Sequence, residues 1–256
     1  MMGRLDQRVA IVTGGGHGIG RAYCLGLARE GALVVAADID DKAAHSVADE
    51  ISGQGGQAVA VHTDVTQEES VAGMVRTALA RFGAVHVLIN NAAFFLRPEP
   101  VPRRTFDQIP VAEWDRMMAV NLKGVFLCCR AVVPAMKANR AGKIINISSS
   151  TFFIGRQGFA HYVTSKAGII GFTRVLAREL GEFGITANAV APGLTMTEDE
   201  LTETVRARHE EVTQARCLKR VEKAEDLVGT ILFLSSSDSD FITGQTILVD
   251  GGISFI

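Results

Sequence analysis

Short apolar segments alternate with longer amphipathic segments along almost the whole chain, and this alternation constrains the fold more than any other sequence feature. The apolar segments are continuous, which is typical of strands buried on both faces of a sheet. Strands that alternate with helices form right-handed βαβ units, which build a parallel sheet between two layers of helices. Strands are predicted at Val9–Thr13, Leu33–Asp38, 57–62, 85–90, 143–148, 185–191 and 246–250.

Helices are predicted between these strands, at 18–30, 41–53, 67–82, 112–138, 160–183 and 223–235. Neither a linker of low complexity nor an internal repeat divides the chain. We therefore predict one α/β domain over 1–256, a doubly wound parallel seven-stranded sheet with helices on both faces. Two stretches fit the alternation poorly, 94–110 with its prolines and the polar 194–220. Long irregular segments are usually binding loops, so we expect these two to face a substrate.

The charge and cysteine content exclude several classes of protein. A net charge of −2 argues against non-specific binding to nucleic acid or to a membrane surface. The first apolar run is about five residues long, shorter than the ~7–15 residues of a signal peptide or the ~20 of a spanning helix. The four cysteines lack C-x-x-C or Cys/His ligand spacing, so we predict reduced packing thiols, no metal site and a cytoplasmic protein.

A glycine-rich turn follows the first strand and leads directly into a helix. Residues Thr13 to Gly20 read Thr-Gly-Gly-Gly-His-Gly-Ile-Gly, with the spacing G-x-x-x-G-x-G. The N–H groups of a first helical turn and the helix dipole favour phosphate at such a position. A tight turn without a ligand is the alternative interpretation.

Acidic residues at the ends of the second and third strands support a dinucleotide site. Asp38 lies 18 residues after Gly20, where a carboxylate can accept hydrogen bonds from both ribose hydroxyls of the adenosine half. The same charge would repel a 2′-phosphate, so NAD is favoured over NADP. His17 could help to hold a 2′-phosphate, although a neutral imidazole would do little. Asp38 could otherwise be a solvated turn residue.

A tyrosine and a lysine stand four residues apart at the start of a predicted helix. Tyr162 and Lys166 therefore share one face of that helix. A phenol with a pKa of about 10 needs a neighbouring positive charge to act as a base near neutral pH. A hydroxyl beside the phenol would polarise the same substrate oxygen, and Ser149, at the end of a strand, is the candidate.

Taken together, these motifs resemble those of the short-chain dehydrogenase/reductase family over essentially the whole chain. The glycine motif T-G-x-x-x-G-I-G corresponds to Thr13–Gly20, and N-N-A-G corresponds to 90–93, with Ala93 replacing the final glycine. The remaining matches are Asn121 in a V-N-x-x-G context, Ser149 thirteen residues before Tyr162, the pair Tyr162 and Lys166, and Pro192-Gly193 followed by Thr195 and Thr197.

The resemblance implies a single-domain Rossmann oxidoreductase and a role for each matched residue. Tyr162 would be the general acid and base, Lys166 would lower its pKa, Ser149 would hold the substrate oxygen and Asn121 would anchor a water. Thr195 and Thr197 would meet the nicotinamide carboxamide, and Asp64 and Val65 the adenine. The implied cofactor contacts are Gly14, His17, Gly18, Ile19, Gly20, Asp38, Ile39, Asp64, Val65, Asn91, Ala92, Tyr162, Lys166, Pro192, Gly193, Thr195 and Thr197.

We expect an NAD-dependent enzyme that transfers a hydride between nicotinamide and a secondary alcohol or ketone. Two alternatives stay open, a 3-oxoacyl-(acyl-carrier-protein) reductase that uses NADPH and a non-catalytic dinucleotide-binding sensor. Some segments resemble those of aryl-alcohol and pyridoxal dehydrogenases within the family, which favours an apolar or aromatic substrate. The residues that could form an apolar substrate wall, or could instead fill the core, are Phe94, Phe95, Phe152, Phe153, Phe159 and Met196.

Arginines in the expected substrate loops and apolar helix surfaces allow two further expectations. The arginines could bind an acidic group of the substrate, or could be solvated or paired with acids. Family resemblance predicts a homotetramer assembled through the helices at 112–138 and 160–183, whose apolar residues include Phe126, Val133, Ile170 and Phe172. The arginines concerned are Arg97, Arg103, Arg104 and Arg156.

Overall fold

Seven strands form one parallel sheet in the computed structural model, which describes residues 3–95, 100–197 and 203–256. The strands are β1 (Val9–Thr13), β2 (Leu33–Asp38), β3 (Gln57–His62), β4 (Val87–Asn90), β5 (Gly142–Ile147), β6 (Ile185–Pro192) and β9 (Thr246–Val249). Their order is β3-β2-β1-β4-β5-β6-β9, and every neighbouring pair is parallel. The order reverses between β1 and β4, and ligands of open α/β sheets bind at the carboxyl ends of the strands beside such a reversal.

Helices cover both faces of this sheet and bury a hydrophobic core on each. They are α1 (Gly18–Arg29), α2 (Asp41–Gly53), α3 (Glu68–Phe82), α4 (Val111–Met118), α5 (Gly124–Asn139), α6 (Ala160–Leu180), α7 (Glu203–Ala215) and α8 (Ala224–Ser235). One core joins the sheet to α3, α5 and α6, and the other joins it to α1, α2 and α8. The predicted doubly wound fold is therefore confirmed.

The segment predicted as one helix over 112–138 differs from the prediction. A π-helical turn, Ala119–Lys123, separates α4 from α5. The apolar spacing runs through this turn without a break, so the sequence pattern does not reveal it. The stretch Val111–Asn139 is long and apolar enough to cross a membrane by composition alone. It packs against α3 and α6, as a core helix of that composition does.

The polar stretch 194–220 is also more regular than predicted. Residues Thr195–Met196 (β7) pair in parallel with Glu222–Lys223 (β8), and α7 lies between them in the chain. Charged side chains occupy much of α7, which hides the apolar period of a helix. Cys24, Cys128 and Cys129 are buried thiols as expected, but Cys217 is an exposed thiol and not a packing residue.

Candidate active site

Ser149, Tyr162 and Lys166 meet at the carboxyl end of β5. Tyr162 and Lys166 lie one turn apart on α6, and Ser149 follows β5 and forms a hydrogen bond with Tyr162. The Lys166 ammonium is buried, donates to the carbonyl oxygen of Ile147 at 2.8 Å and lies 5.7 Å from the centre of the Tyr162 ring. The structure therefore brings together the three predicted catalytic groups that can move a proton or bind an oxygen.

Burial shifts the proton affinities of this pair in opposite directions. Burial raises the pKa of Tyr162 to about 12, although its hydrogen bond with Ser149 and the positive charge of Arg208 act to lower it. Burial lowers the pKa of Lys166 to about 8. The phenol is thus a proton donor at neutral pH, and any added positive charge nearby would favour its ionised form.

Asn121 is fully buried in the π-helical turn. Single π-helical turns within α-helices often occur at functional sites. Its side-chain oxygen accepts from the backbone N–H of Phe94 at 2.7 Å. Its amide nitrogen donates to the Ser165 hydroxyl at 3.2 Å, and Ser165 in turn donates to the carbonyl oxygen of Tyr162 at 2.7 Å. Asn121 therefore links the segment after β4 to the turn of α6 that carries Tyr162.

Aromatic rings surround the Tyr162 side chain on the expected substrate side. The Phe95 ring stacks on the Tyr162 ring with centroids 4.1 Å apart, and Phe159 meets Phe95 edge-on at 5.3 Å. Phe152 and Phe153 contact each other, with Phe152 exposed. Of the predicted apolar wall, Phe95 thus lies against the Tyr162 phenol and Phe159 lies against Phe95.

Two further members of that predicted set, and one of the arginines, have separate surroundings. The Phe94 ring lies under the Arg116 guanidinium, 4.3 Å from its central carbon. Met196 is half-buried in β7, and Arg156 is half-buried in the turn after Ser150. Arg97 lies outside the described residues.

The glycine turn is closed tightly against the end of β4. Gly14 and Gly18 have left-handed φ angles of +63° and +48°, which favour glycine. A Cβ on Gly20 would collide with the carbonyl oxygen of Gly14. Asn91 donates from its side-chain amide to the carbonyl oxygens of Thr13 and Gly14, each at 3.0 Å. The backbone N–H groups at the start of α1 are therefore not covered by a side chain, because His17 forms no side-chain hydrogen bond that caps the helix.

The segment after Asn91 tolerates the alanine that replaces the family's glycine. Ala93 does not have a positive φ angle, and the backbone N–H of Ala92 donates to the Thr13 hydroxyl at 3.1 Å. A Cβ therefore brings no backbone strain at position 93.

Asp38 is a buried carboxylate at the end of β2, held next to the glycine turn. Its two oxygens accept from the backbone N–H groups of Gly16 and Asp40, each at 2.9 Å. His17 pairs with the second carboxylate, Asp40, at 3.0 Å, and this hydrogen bond lowers the pKa of Asp40. The basic residue of the turn thus already has an acidic partner.

The predicted adenine contacts lie along the neighbouring strand ends. Ile39 is exposed and Val65 is buried. The Val65 side chain lies so close to Gly124 that a Cβ at position 124 would contact it. One Asp64 oxygen accepts from both the backbone N–H and the hydroxyl of Thr66, at 2.9 and 2.7 Å. Asp64 therefore stabilises the turn that contains it, and it also offers a carboxylate to a ligand.

The segment after β6 is fastened to several neighbours. The Pro192 carbonyl oxygen accepts from Ser150 N–H at 2.9 Å, and Gly193 N–H donates to Val249 at 3.0 Å. The Thr195 hydroxyl donates to a Glu222 oxygen at 2.8 Å, and the Thr197 methyl group lies against Gly18. Because the Thr195 hydroxyl already donates to Glu222, the Thr197 side chain is better placed than Thr195 to contact a ligand.

Sequence reasoning missed the buried ion pair beneath this segment. Arg216 is almost inaccessible to solvent and donates from Nη2 to Glu222 and to the carbonyl oxygen of Leu194, both at 2.8 Å. Burial raises the pKa of Glu222, and the Thr195 hydrogen bond and Arg216 oppose that shift. No sequence spacing marked the pair, since both residues lie in a stretch whose polarity suggests a solvated loop.

Comparison with known proteins places this site in context. The family model described as Enoyl-(Acyl carrier protein) reductase matches residues 14–254. The chain is 41% identical to a probable short-chain type dehydrogenase/reductase of Bradyrhizobium diazoefficiens over 98% of this chain and 89% of that one. It is 39% identical to a probable galactose dehydrogenase of Rhizobium meliloti (97% and 96% covered) and 40% identical to a 3-oxoacyl-[acyl-carrier-protein] reductase of Synechocystis (98% and 99%). A crystal structure of a short-chain type dehydrogenase/reductase from Mycobacterium marinum superposes with a TM-score of 0.88 at 34% identity, covering 97% of this chain and 96% of that one.

Proposed function

The chain belongs to the short-chain dehydrogenase/reductase family of oxidoreductases, and from that premise we propose that it transfers a hydride between NAD and a secondary alcohol or ketone. The observation that carries this proposal is the meeting of Ser149, Tyr162 and Lys166 beside two phenylalanine rings at the carboxyl edge of the sheet. The aromatic surroundings favour a substrate with apolar or aromatic substituents.

The residues present fit a nicotinamide dinucleotide. A side chain at Gly20 would close the turn, and the uncapped start of α1 offers backbone N–H groups to a pyrophosphate. Gly14, Gly18 and Ile19 would hold that pyrophosphate. Asp38 and Ile39 would hold the adenosine ribose, and Asp64 and Val65 the adenine. Asn91, Ala92, Lys166, Pro192, Gly193 and Thr197 would hold the nicotinamide half. When bound, the nicotinamide ring supplies or accepts the hydride.

The chain's own residues supply the proton chemistry. In alcohol oxidation the Tyr162 phenolate oxygen accepts the proton of the substrate hydroxyl, and in ketone reduction the phenol returns it. The Ser149 hydroxyl donates to the substrate oxygen and orients it towards the phenol. The buried Lys166 ammonium stabilises the phenolate, because a positive charge nearby favours the ionised form.

The preference for NAD over NADP rests on two neighbouring carboxylates. Asp38 is fixed by Gly16 and Asp40, and Asp40 itself pairs with His17. A 2′-phosphate would therefore meet negative charge, and the turn's one basic side chain already has a carboxylate partner.

Asp38→Asn is expected to raise the Kd for NADH by about tenfold or more, since hydrogen bonds to a charged group contribute about 1.5–3 kcal/mol. The ratio of NADPH to NADH affinity should rise, because the repulsion of the 2′-phosphate falls. Fluorescence titration with each cofactor measures both quantities, and Glu69→Gln, which removes an exposed carboxylate of α3 paired with Arg76, is the control for net charge. Wild-type protein that binds NADPH as tightly as NADH would contradict the proposal.

A 3-oxoacyl-(acyl-carrier-protein) reductase is the second candidate, because one of the relatives at about 40% identity bears that name. The two candidates differ in cofactor and in direction. Michaelis constants for NAD and NADP with phenylethanol, and for NADH and NADPH with an acetoacetyl thioester, separate them.

The pH dependence of the reaction follows from the acid–base role of Tyr162. Oxidation needs the phenolate, so its rate is expected to rise with pH, whereas reduction needs the phenol and should slow as pH rises. Because Tyr162 and Lys166 interact, the midpoint belongs to the pair. Initial rates between pH 6 and 10 test this, with a substrate deuterium isotope effect to show that chemistry limits the rate. Flat profiles in both directions would exclude Tyr162 as the acid–base group.

We further propose a single domain over 1–256 that works in the cytoplasm as a homotetramer. Phe126 is 43% exposed, packs against Phe172 and lies in a groove with Trp114 and Leu122. Val133 is half-buried, whereas Ile170 is buried within the subunit and contributes nothing to that surface. Sedimentation equilibrium gives the mass of the assembly, and a monomer at micromolar concentration would exclude the tetramer.

A further inference from the structure

Three arginines from two segments, the adjacent Arg103 and Arg104 and the distant Arg208, lie near Gly158 and Phe159 just before α6. A Cβ on Gly158 would lie 2.7 Å from Arg103 Nε, and the backbone N–H of Arg104 donates to the Gly158 carbonyl oxygen at 3.0 Å. Arg208, on α7, places its guanidinium carbon 6.0 Å from the centre of the Phe159 ring. We refer to Arg103, Arg104 and Arg208 as the arginine cluster.

The arginine cluster borders the reacting phenol. Phe159, itself buried, contacts Phe95 edge-on, and Phe95 stacks on Tyr162, so a continuous series of aromatic contacts leads from Arg208 to the phenol. The charge of Arg208 also acts on Tyr162, lowering its pKa against the effect of burial. A substrate whose alcohol lies at Tyr162 therefore extends along an apolar surface towards positive charge.

Glu113, an acidic side chain beside this cluster, is already shared. Glu113 of α4 lies 3.9 Å from Arg104 Nη2 and 3.1 Å from Nε2 of the fully buried His161. The buried Nε of Arg104 has no hydrogen-bond partner among the residues that the structure describes. One donor of the Arg104 guanidinium is therefore unsatisfied inside the described part of the protein.

Building on the proposed function, we propose that the arginine cluster binds a carboxylate of the substrate, so that the enzyme oxidises hydroxy acids in which an apolar spacer separates the carboxylate from the alcohol. Guanidinium groups bind carboxylates with two parallel hydrogen bonds, which fixes the orientation as well as the charge. Phe95 and Phe159 would contact the spacer, and Tyr162 would contact the alcohol. The cluster then selects the substrate while Tyr162 moves the proton.

A matched pair of probes tests this assignment by turnover. The anionic probe is 4-(1-hydroxyethyl)benzoate and the neutral probe is its methyl ester. We expect wild-type kcat/KM to favour the anion by about tenfold or more, the factor that about 1.4 kcal/mol supplies. Arg208→Gln and Arg103→Gln should remove the preference by raising the KM of the anion more than the KM of the ester, while Arg208→Lys should restore part of it. Arg76→Gln, an exposed arginine of α3 paired with Glu69, is the control for net charge.

Binding of the corresponding ketones gives a second readout that does not depend on turnover. Calorimetric titration with 4-acetylbenzoate and with its methyl ester should show the same Arg208-dependent preference for the anion. Preference in binding without turnover would support the cluster and overturn the proposed function. Turnover of the neutral ester with no preference for the anion, or equal losses for both probes in the variants, would overturn the cluster's role and leave the oxidoreductase function standing. Neither turnover nor preference would overturn both.

Discussion

Replacing Tyr162 by phenylalanine is expected to lower kcat by about 10²–10⁴, the range that general acid–base catalysis contributes. The substitution removes only the hydroxyl that exchanges a proton with the substrate oxygen. The ring should keep its stack on Phe95, so the pocket should keep its shape. The Kd for NADH, measured by fluorescence titration, should change little. Steady-state formation of NADH from a panel of aryl, alicyclic and acyl-chain alcohols measures the loss.

The chain contains a matched control for this substitution. Tyr23, the second of its two tyrosines, is fully buried and its hydroxyl has no hydrogen-bond partner among the described residues. Tyr23→Phe removes the same atom away from the active site and should leave kcat unchanged. If Tyr162→Phe kept wild-type turnover, another group would have to move the proton, and the assignment of Tyr162 would be wrong.

Replacing Glu222 by alanine is expected to lower the free energy of unfolding by about 3–5 kcal/mol, because it leaves the buried Arg216 charge without its partner. The same change frees the Thr195 hydroxyl, so the segment after β6 loses a second contact. Urea unfolding at one fixed protein concentration measures the change in stability, which keeps any effect of assembly constant.

The double variant Arg216→Met, Glu222→Leu separates charge from shape. Removing both charges and filling the space is often neutral or stabilising, so the double variant should be more stable than Glu222→Ala. If Glu222→Ala unfolded at the wild-type urea concentration, the ion pair would not support the segment that carries Thr195 and Thr197.

The strands could be predicted from the sequence because each is buried on both faces and is therefore a continuous apolar run. The prediction 57–62 agrees with β3, and 85–90 and 143–148 differ from β4 and β5 by one or two residues. The helix α7 could not be predicted, since its charged residues leave no clear apolar stripe. The π-helical turn was equally hidden, because its backbone geometry, and not its composition, places Asn121.

The candidate site was predictable to the extent that its geometry is local. Tyr162 and Lys166 are four residues apart on one helix, so their spacing alone puts them on one face. Ser149 follows β5, a different element, and its position at the end of a predicted strand and in the family pattern marked it. The Phe95 ring on Tyr162 and the Asp38 contact with Gly16 join residues distant in the chain, and the Arg216–Glu222 pair joins the residue after α7 to β8. These contacts depend on tertiary packing, which spacing along the sequence does not reveal.

The most direct test of the central claim follows the hydride itself. The protein is incubated with NAD and with phenylethanol, cyclohexanol or a hydroxybutyryl thioester carrying deuterium on the carbinol carbon, and the NADH is analysed by mass spectrometry. We predict that NADH gains one deuterium from at least one of these alcohols with wild-type protein, and far more slowly with Tyr162→Phe. Protein that binds NADH but transfers deuterium from none of them would contradict the account and would favour a dinucleotide-binding protein without catalytic activity.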